Sequence, residues 1–508
     1  MRALLQRLYT ILGSRRFFWA VLAFFILQAS WITLSAVYPM AFDEDFHLGI
    51  IKIYSHHLLP FLSQQPAGAN IYGPVTHDPS YLYQYLMSFP YRVIELFTKD
   101  QTIQVIWLRF INIALFAYAL VIFRRFLLRT NVSAAFTNTS MLLFVLIPIV
   151  PLLAATINYD NLTMVVVAWA ALLVVDIIPA LQSKRIPLRD IGILVTLCLL
   201  GVIVKYAFLP IAAGCVITVI ALWWHTFRGD IWKGTTHAIR TDYARLGLAT
   251  KVILPVLFLI SLGLFSQRYL VNLIDYGAPI PACDKVLTVK ECMSYGPWAR
   301  NHDFAQHKHS TFHANPVVYL PQWLYGMWYR LFFAVNGNVS IPSWARYESF
   351  PPLPLPSVSA IMLTVATLAL VLRYWRKIFH GDWMVVLCLM ITIFYIGALF
   401  ATDFANYKRT GWAVAVNGRY LLPILLPIAI IASRAWRIAL RHRPPAKIVM
   451  ACVAILLFLQ GGGVLTFMMR SNYAWYWPNH TVQSANRTAQ KVAWKVVVGY
   501  WPIQPYSP

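Results

Sequence analysis

The chain has 508 residues, of which 59% are hydrophobic and 12% are charged, whereas a soluble protein carries about 25% charged residues. Soluble cores cannot bury so much apolar surface, so the composition excludes a soluble enzyme with one anchor, a disordered chain and a coiled coil. The 42 Lys and Arg exceed the 18 Asp and Glu by 24 charges. These basic residues lie in short loops between apolar runs, which indicates membrane topology and argues against a nucleic-acid partner.

Apolar stretches close to the ~20 residues that cross a bilayer recur along the whole chain. They lie at about 17–39, 103–123, 136–157, 161–181, 191–224, 252–274, 357–373, 383–401, 419–433 and 446–468. The stretch 191–224 accommodates two short spans broken near Lys205. The sequence therefore predicts an all-α polytopic membrane protein with about eleven transmembrane helices. The first stretch is too long for a removable signal peptide, so we interpret it as a signal anchor.

Every second loop between the predicted spans is rich in Lys and Arg, which is typical of cytoplasmic loops. Arg15 and Arg16 before the first span place the N-terminus on the same side. The alternation holds only if 191–224 is a hairpin with Lys205 at its outer end. We expect one multi-spanning domain, 1–468, with its functional site on the outer side. Four pieces of the chain then face outward: 40–102, 275–356, 402–418 and the tail 469–508.

Three consecutive carboxylates, Asp43, Glu44 and Asp45, follow the first span. Adjacent acids repel one another, so at least one pKa should rise unless a cation or a basic partner relieves the repulsion. A carboxylate with a raised pKa can act as a general base near neutral pH. The alternative is a solvated cap on an interfacial helix, because runs of charge are usually solvated. The stretch Leu48 to Leu62 that follows is amphipathic.

A second cluster in the same loop contains Tyr72-Gly73-Pro74 and His77-Asp78-Pro79. The spacing of apolar residues after it predicts a second amphipathic helix, starting near Leu82 and bent at Pro90. Two interfacial helices in one loop would form a ledge where a lipid-linked substrate could dock. Alternatively, the aromatic residues only anchor the protein at the interface.

Two of the six cysteines, Cys283 and Cys292, lie close together in the large outward loop, and the other four lie in predicted spans. An outward loop is in an oxidising compartment if the protein faces a periplasm, a cell surface or a lumen, so we expect a disulfide between this pair. A zinc site is the lesser alternative, because the nearby histidines fit no standard zinc spacing. Those histidines are His302, His307, His309 and His313.

The motif Phe42-Asp43-Glu44, with His47 and Gly49 behind it, resembles the F-D-E-x-H-F-G signature of protein O-mannosyltransferases. His77-Asp78-Pro79 resembles the H-P-P element of the same outward loop. Here one residue is inserted before His47, and an Asp separates His77 from its proline. The broader resemblance, over most of the chain, is to the GT-C superfamily, membrane glycosyltransferases that take a sugar from a polyprenyl-phosphate carrier on the outer leaflet.

Three further segments resemble GT-C elements. Asn158-Tyr159-Asp160-Asn161 is similar to an N-x-D turn that carries a second active-site acid. The stretch Gly201 to Pro210, which holds Lys205, resembles a short broken hairpin with a basic residue. Gly418-Arg419-Tyr420-Leu421-Leu422-Pro423 resembles the G-R-Y-L-x-P start of a late span.

The resemblance implies an inverting hexosyl- or pentosyltransferase. Asp43 would be the general base, Glu44 or Asp45 would orient the acceptor or bind a cation, and Asp160 would complete the acidic side. Arg419, whose planar fork suits phosphate oxygens, would hold the lipid phosphate together with Lys205. For Lys205 the alternative is snorkelling to the headgroups. The remaining candidates for substrate binding are His47, His77, Asp78 and Tyr420.

The implied partners are a polyprenyl-phosphate-linked sugar donor, an unidentified acceptor and the lipid bilayer. The resemblance implies no definite cofactor, and the participation of a divalent cation stays open.

The main alternative is a transporter or a lipid-linked sugar flippase without transferase activity. Such proteins place several ionisable residues in mid-membrane, whereas the spans here offer Arg109 and, near a cytoplasmic end, Asp176. The expected location is a bacterial inner or plasma membrane, or the endoplasmic reticulum membrane of a eukaryote.

Overall fold

Long helices account for most of the chain. The computed structural model describes residues 2–332 and 352–497, so parts of the segment 275–356 and of the C-terminal segment 469–508 lie outside the described residues. Within the described ranges the chain forms helices and no strand, apart from one isolated bridge between Ala36 and Tyr476.

The helices are, in chain order, α1 (Arg2–Gly13), α2 (Arg15–Ser35), α3 (Glu44–Ser55), α4 (Leu82–Phe97), α5 (Gln101–Arg129), α6 (Ala134–Val145), α7 (Ile149–Ala154), α8 (Asp160–Gln182), α9 (Leu188–Val204), α10 (Leu209–Phe227), α11 (Ile231–Arg245), α12 (Leu248–Tyr276), α13 (Cys283–Val286), α14 (Val289–Cys292), α15 (Gly296–Gln306), α16 (Pro316–Phe332), α17 (Pro354–Phe379), α18 (Trp383–Thr410), α19 (Leu422–Ala439), α20 (Pro444–Leu459), α21 (Val464–Arg470) and α22 (His480–Val496). Four short 3-10 turns lie at Ala69–Tyr72, Tyr206–Phe208, Gly418–Leu421 and Tyr473–Trp475.

Nine helical segments among the described residues are long and apolar enough to cross a membrane. They are Arg15–Ser35, Gln101–Arg129, Asp160–Gln182, Tyr206–Phe227, Leu248–Tyr276, Pro354–Phe379, Trp383–Thr410, Gly418–Ala439 and Pro445–Arg470. The predicted all-α, polytopic membrane architecture is confirmed. The count of eleven stays a prediction, because the two remaining candidates, α6 with α7 and α9, are shorter.

The predicted break at Lys205 is confirmed. Helix α9 ends at Val204, Lys205 adopts an extended conformation (φ −155°, ψ 122°), and α10 begins after one 3-10 turn. Pro210 stands in the first turn of α10, where its missing N–H removes no helical hydrogen bond. The break therefore places a basic side chain between the ends of two helices.

The two amphipathic helices of the loop after α2 are also present, and they pack against each other. Helix α3 begins four residues earlier than predicted and ends at Ser55. The chain does not stay helical to Leu62 because Pro60 restricts the residue before it to extended conformations. Helix α4 contains Pro90, as predicted.

Helix α8 is the most enclosed span and α12 the least, with 78% and 6% of their most apolar windows buried. Helices α5, α9 and α10 pack around α8, whereas α12 packs mainly along α9. The N-terminus of α8 at Asp160 therefore lies inside the bundle, surrounded by other helix ends.

The described part of the C-terminal segment packs against the bundle. Asn486 of α22 donates to the Ser35 hydroxyl at 3.0 Å and accepts from the Trp31 indole at 3.1 Å. Helix α22 therefore covers the end of α2, directly before the loop that carries the acidic triplet.

Candidate functional site: a paired cluster of acids and bases

Four of the predicted site residues converge, and we call them the charge cluster: Asp43, Asp160, Lys205 and Arg419. The Arg419 Nη2 donates to Asp43 Oδ2 at 2.9 Å. The Arg419 Nε lies 3.9 Å from Asp160 Oδ2, a charge contact longer than a hydrogen bond. The Lys205 ammonium donates to Asp160 Oδ1. Two acids and two bases therefore alternate in space, and their formal charges cancel.

Each member of the charge cluster is placed by the end of a helix. Asp43 is the residue before α3, and Asp160 is the first residue of α8. Lys205 lies in the break between α9 and α10, and Arg419 lies in the 3-10 turn that leads into α19. Helix ends can be positioned accurately because the packed helices behind them are rigid.

Gly418 explains how Arg419 reaches the cluster. A Cβ atom on Gly418 would lie 2.5 Å from both the Leu331 N and the Met327 O of α16. Real Cβ atoms do not approach backbone so closely, so the turn can pack against α16 only with glycine at this position. This close approach accounts for the glycine in the G-R-Y-L-x-P resemblance.

Asp43 stands on an unusual backbone. Phe42 and Asp43 both have a left-handed conformation, with φ of 68° and 61°. This region is uncommon for residues other than glycine and is a true outlier for a bulky side chain such as Phe. The turn is held by Asn158, whose Nδ2 donates to the Phe42 carbonyl at 2.7 Å. Strain of this kind concentrates at functional sites.

Glu44 has a different environment from the one expected. It is fully buried and receives two hydrogen bonds from Arg109, at 2.8 and 2.7 Å. The backbone N–H groups of Met40 and Ile157 also donate to its oxygens, at 2.7 and 3.1 Å. Since its oxygens are fully engaged and away from solvent, we correct the expectation that Glu44 orients an acceptor or binds a cation. It is a positioning residue for the strained turn.

The three acids of the triplet lie in three different environments. As a result, the pKa values of Asp43 and Asp45 shift in opposite directions. Asp45 is exposed and forms no ion pair with any described residue. Partial burial and the neighbouring charges of Asp43 and Glu44 raise the pKa of Asp45. For Asp43, partial burial acts to raise the pKa, but the charge and the hydrogen bond of Arg419 outweigh it and lower the pKa. The expected rise in pKa is therefore found at Asp45, not at the candidate base Asp43.

His47 is buried behind the charge cluster. Its Nδ1 lies 3.2 Å from the Gln84 amide, and its ring centroid lies 4.5 Å from that of Tyr159. Burial lowers the pKa of His47 to about 3 and outweighs the opposing effect of Asp43. A neutral, buried imidazole packs the site from behind, so the geometry does not support direct substrate contact by His47.

The two cations differ in how fully they are engaged. The buried Lys205 ammonium bonds to Asp160 and lies 4.5 Å and 4.9 Å from the ring centroids of Tyr159 and Tyr420. The Arg419 guanidinium lies 4.9 Å from the Phe42 ring and 5.1 Å from that of Tyr420. Its Nε and Nη1 are buried and find no acceptor among the described residues. Spare donors are therefore concentrated on Arg419.

His77 and Asp78 do not belong to the charge cluster. The His77 Nδ1 lies 2.9 Å from Asn272 Oδ1, and its Nε2 lies 3.3 Å from the Tyr276 hydroxyl. Asp78 Oδ1 accepts from the Ser80 N–H at 2.8 Å. Burial raises the pKa of Asp78. These contacts connect the loop to the end of α12, so the structure does not bring His77 to the predicted phosphate site.

The loop between α12 and α16 also reaches the site. The Cys283 and Cys292 sulfurs are bonded to each other in the structure. Tyr295 lies three residues after Cys292, and its ring centroid lies 6.2 Å from that of Phe46. A Cβ atom on Gly73 would lie 3.0 Å from the same ring. Within the described ranges, no three His, Cys, Asp or Glu side chains converge as metal ligands would. Tyr295 was not predicted from the sequence, since a single tyrosine in a polar loop carries no signal.

Two buried charged residues inside spans were also missed. Asp403 of α18 is buried and accepts from the Trp323 indole at 2.7 Å. Arg268 of α12 is buried, with its guanidinium 4.7 Å from the Tyr81 ring. A charged residue in an apolar span indicates a functional site or a buried partner. This signal could have identified Asp403 and Arg268 from the sequence.

No protein-family model, no curated protein and no solved structure matches this chain. The fold and the site define a class: an all-α, multi-pass membrane protein with a charge-balanced cluster at the ends of its helices. The GT-C resemblance rests on the sequence motifs described above.

Proposed function

We propose that the protein is an inverting glycosyltransferase that moves a hexose or pentose from a polyprenyl-phosphate carrier to an acceptor hydroxyl on the outer side of the membrane. The observation that carries this proposal is the contact between Asp43 and Arg419. A carboxylate and a guanidinium with spare donors face each other at the end of the bundle. Transfer with inversion needs a base on one side of the anomeric carbon and an anion-binding group on the other.

The chemistry balances with these two groups. The acceptor hydroxyl loses its proton to the Asp43 carboxylate while its oxygen forms a bond to the anomeric carbon. The bond from that carbon to the phosphate oxygen breaks, and its electron pair stays on the phosphate. The positive charge of Arg419 stabilises the phosphate as its negative charge grows. Phosphate is a good leaving group, so no strong general acid is needed.

The burial of Arg419 suits an anion ligand. Its side chain is 6% exposed, so its charge acts in a region of low dielectric constant where electrostatic interactions are stronger than in water. The Nε and Nη1 donors without acceptors cost free energy in the unliganded protein. Phosphate oxygens can accept from Nη1 and from Nη2, which now donates to Asp43, since these two nitrogens form a planar fork.

Lys205 and Asp160 support this arrangement in a different way from the sequence expectation. The Lys205 ammonium is already surrounded by one carboxylate and two aromatic rings. We therefore assign Lys205 the role of holding the Asp160 carboxylate in position, and not direct binding of the phosphate. Asp160 Oδ2, which is buried without a hydrogen-bond partner, faces Arg419 and keeps its guanidinium oriented.

The alternative function, a transporter or lipid-linked sugar flippase, is favoured by one observation. Asp403 lies inside the span α18, buried beside Trp323. Buried ionisable residues within spans are typical of ion-coupled transport, although Asp403 lies in the C-terminal third of α18. A single carboxylate is weak support, because coupled transporters usually carry several.

The test is sugar transfer by the purified protein in sealed lipid vesicles, with a panel of polyprenyl-phosphate sugars as donors. We expect at least one donor to lose its sugar, and we expect Asp43→Asn to reduce the rate by about 10²–10⁴-fold. The matched control is Asp284→Asn, which removes an exposed carboxylate from another loop and should leave the rate unchanged. If no donor is consumed and labelled lipid crosses the bilayer instead, the flippase alternative replaces this proposal.

A further inference from the structure

In the ion pair, the Asp43 carboxylate is occupied by Arg419 and cannot accept a proton readily. The Arg419 guanidinium is likewise occupied by Asp43, although the proposed reaction needs it for the donor phosphate. We propose that Arg419 holds Asp43 in an inactive ion pair until the donor phosphate takes the guanidinium, so that the donor must bind before the acceptor can be activated. This inference rests on the proposed function and adds an order of events to it. It makes Arg419 a group that controls the base as well as a ligand of the phosphate.

The two ends of the ion pair differ in freedom. The Asp43 side chain is 56% exposed, whereas that of Arg419 is 6% exposed. The guanidinium is also flanked by the Phe42 and Tyr420 rings. An entering anion therefore finds Arg419 already in place, and Asp43 is the partner that can turn away. The two hydrogen bonds from Arg109 to Glu44, the next residue, keep the backbone of the turn in place while the Asp43 side chain rotates.

The charge balance favours the exchange. The four members of the charge cluster have a net charge of zero before any substrate arrives. An anionic donor that enters a neutral cluster is attracted only if one of the two acids gives up its cation. Asp160 is held by Lys205, and its side chain is 9% exposed. Asp43 is held by Arg419 alone and faces the open side, so Asp43 is the acid that is released.

The backbone supports an active role for this contact. Phe42 and Asp43 keep a left-handed conformation that non-glycine residues rarely adopt, and Arg419 contacts both of them. A chain would not hold two successive residues in this conformation for an incidental surface ion pair.

Several other groups face Asp43 and enter the balance. On its own helix are Asp45, whose charge repels it, and His47, which is neutral at physiological pH. Lys205 attracts it from the break between α9 and α10. Tyr295 faces it from the loop that follows the disulfide, and burial raises the pKa of this phenol, so it is neutral. Loss of Arg419 to a phosphate therefore leaves Asp43 with one distant cation and one close anion, which makes it a stronger base.

The test follows the protonation of Asp43 by infrared difference spectroscopy on the purified full-length protein. The band of its protonated carboxyl is identified as the one that Asp43→Asn removes. Without ligand, we expect half-protonation at a pH below the usual value of about 3.9. Saturating farnesyl phosphate should raise this midpoint by at least about one pH unit, a tenfold gain in proton affinity. Inorganic phosphate is the second probe, and it shows whether the phosphate alone displaces Asp43 or whether the prenyl chain is needed.

Variants separate this inference from the proposed function. Arg419→Gln should raise the pH of half-protonation of Asp43 without ligand and abolish its response to both probes. The control is Arg409→Gln, at an exposed site at the C-terminal end of α18, which should change neither the midpoint nor the response. Arg419→Lys keeps a charge, so it should retain a low midpoint and bind the probes more weakly. If farnesyl phosphate binds and the pH of half-protonation of Asp43 does not change, the inference is overturned and the proposed function is unaffected. A wild-type protein that binds neither probe would overturn both.

Discussion

The Glu44 carboxylate and the Arg109 guanidinium form an ion pair with two hydrogen bonds, both side chains fully buried, between the start of α3 and the first third of α5. Arg109 also donates to the Ala36 carbonyl at 2.6 Å. The pair therefore joins the end of α2, the turn that carries Asp43, and the bundle. Its position explains why a charge inside the span α5 is tolerated.

Breaking this pair should destabilise the protein strongly. Glu44→Gln leaves a buried guanidinium without its counter-charge, and the loss of one partner of a buried pair costs about 3–5 kcal/mol. We expect a large fall in the thermal midpoint in detergent. The control is Asp176→Asn, which breaks the exposed pair with Arg129 and should cost no more than about 1 kcal/mol. Equal effects of the two variants would contradict the positioning role of Glu44.

Gly418→Ala should displace Arg419. The added methyl group would lie 2.5 Å from backbone atoms of α16, so the turn must move away from that helix. Overpacking of this kind costs about 1–3 kcal/mol, and we expect weaker binding of polyprenyl phosphate, measured by equilibrium dialysis. Gly263→Ala in α12 is the matched control, because a Cβ there meets no atom within 4 Å. Unchanged phosphate binding in Gly418→Ala would show that the turn does not position Arg419.

The buried His47 predicts a loss of stability in mild acid. Its pKa is about 3 in the folded protein and about 6.5 in an unfolded chain. Between these values the unfolded state binds a proton that the folded state does not, so stability is complete above pH 6.5 and decreases as the pH falls. The slope is ~1.4 kcal/mol per pH unit, or ~2 kcal/mol between pH 6.5 and pH 5.

This prediction is measured as the change in thermal midpoint between pH 7.5 and pH 5. His47→Gln should reduce the change, whereas His309→Gln, at an exposed position, should leave it as in the wild type. Identical pH dependence in all three proteins would mean that His47 is charged, or already neutral in the unfolded chain.

The topology predicted from the basic loops is tested by cysteine labelling in intact cells. We expect an impermeant maleimide to label Lys99→Cys and Tyr473→Cys before lysis, and Arg185→Cys and Arg376→Cys only after it. The first two positions lie at the same end of the bundle as the charge cluster. The reverse pattern would put that cluster on the cytoplasmic leaflet and exclude an outer-leaflet donor.

Much of the fold could be predicted from the sequence, because the signals are local. A run of about 20 apolar residues predicts a span wherever it occurs. The break at Lys205 was predicted from the alternation of basic loops, which requires two spans in 191–224. The acidic triplet was found because three adjacent carboxylates repel one another, and the Gly418-Arg419-Tyr420 motif was found through its resemblance to a GT-C element. The spans, the triplet and the motif depend only on neighbouring residues.

Only the tertiary structure decided which cation faces which acid. Asp43 and Arg419 are 376 residues apart in the chain, and nothing local to either one indicates that they meet. Three adjacent carboxylates look equivalent in the sequence, yet one pairs with Arg419, one with Arg109, and one with no described residue. The electrostatic energy of an ion pair depends on distance and burial, and these are set by the packing of helices that are distant in the chain.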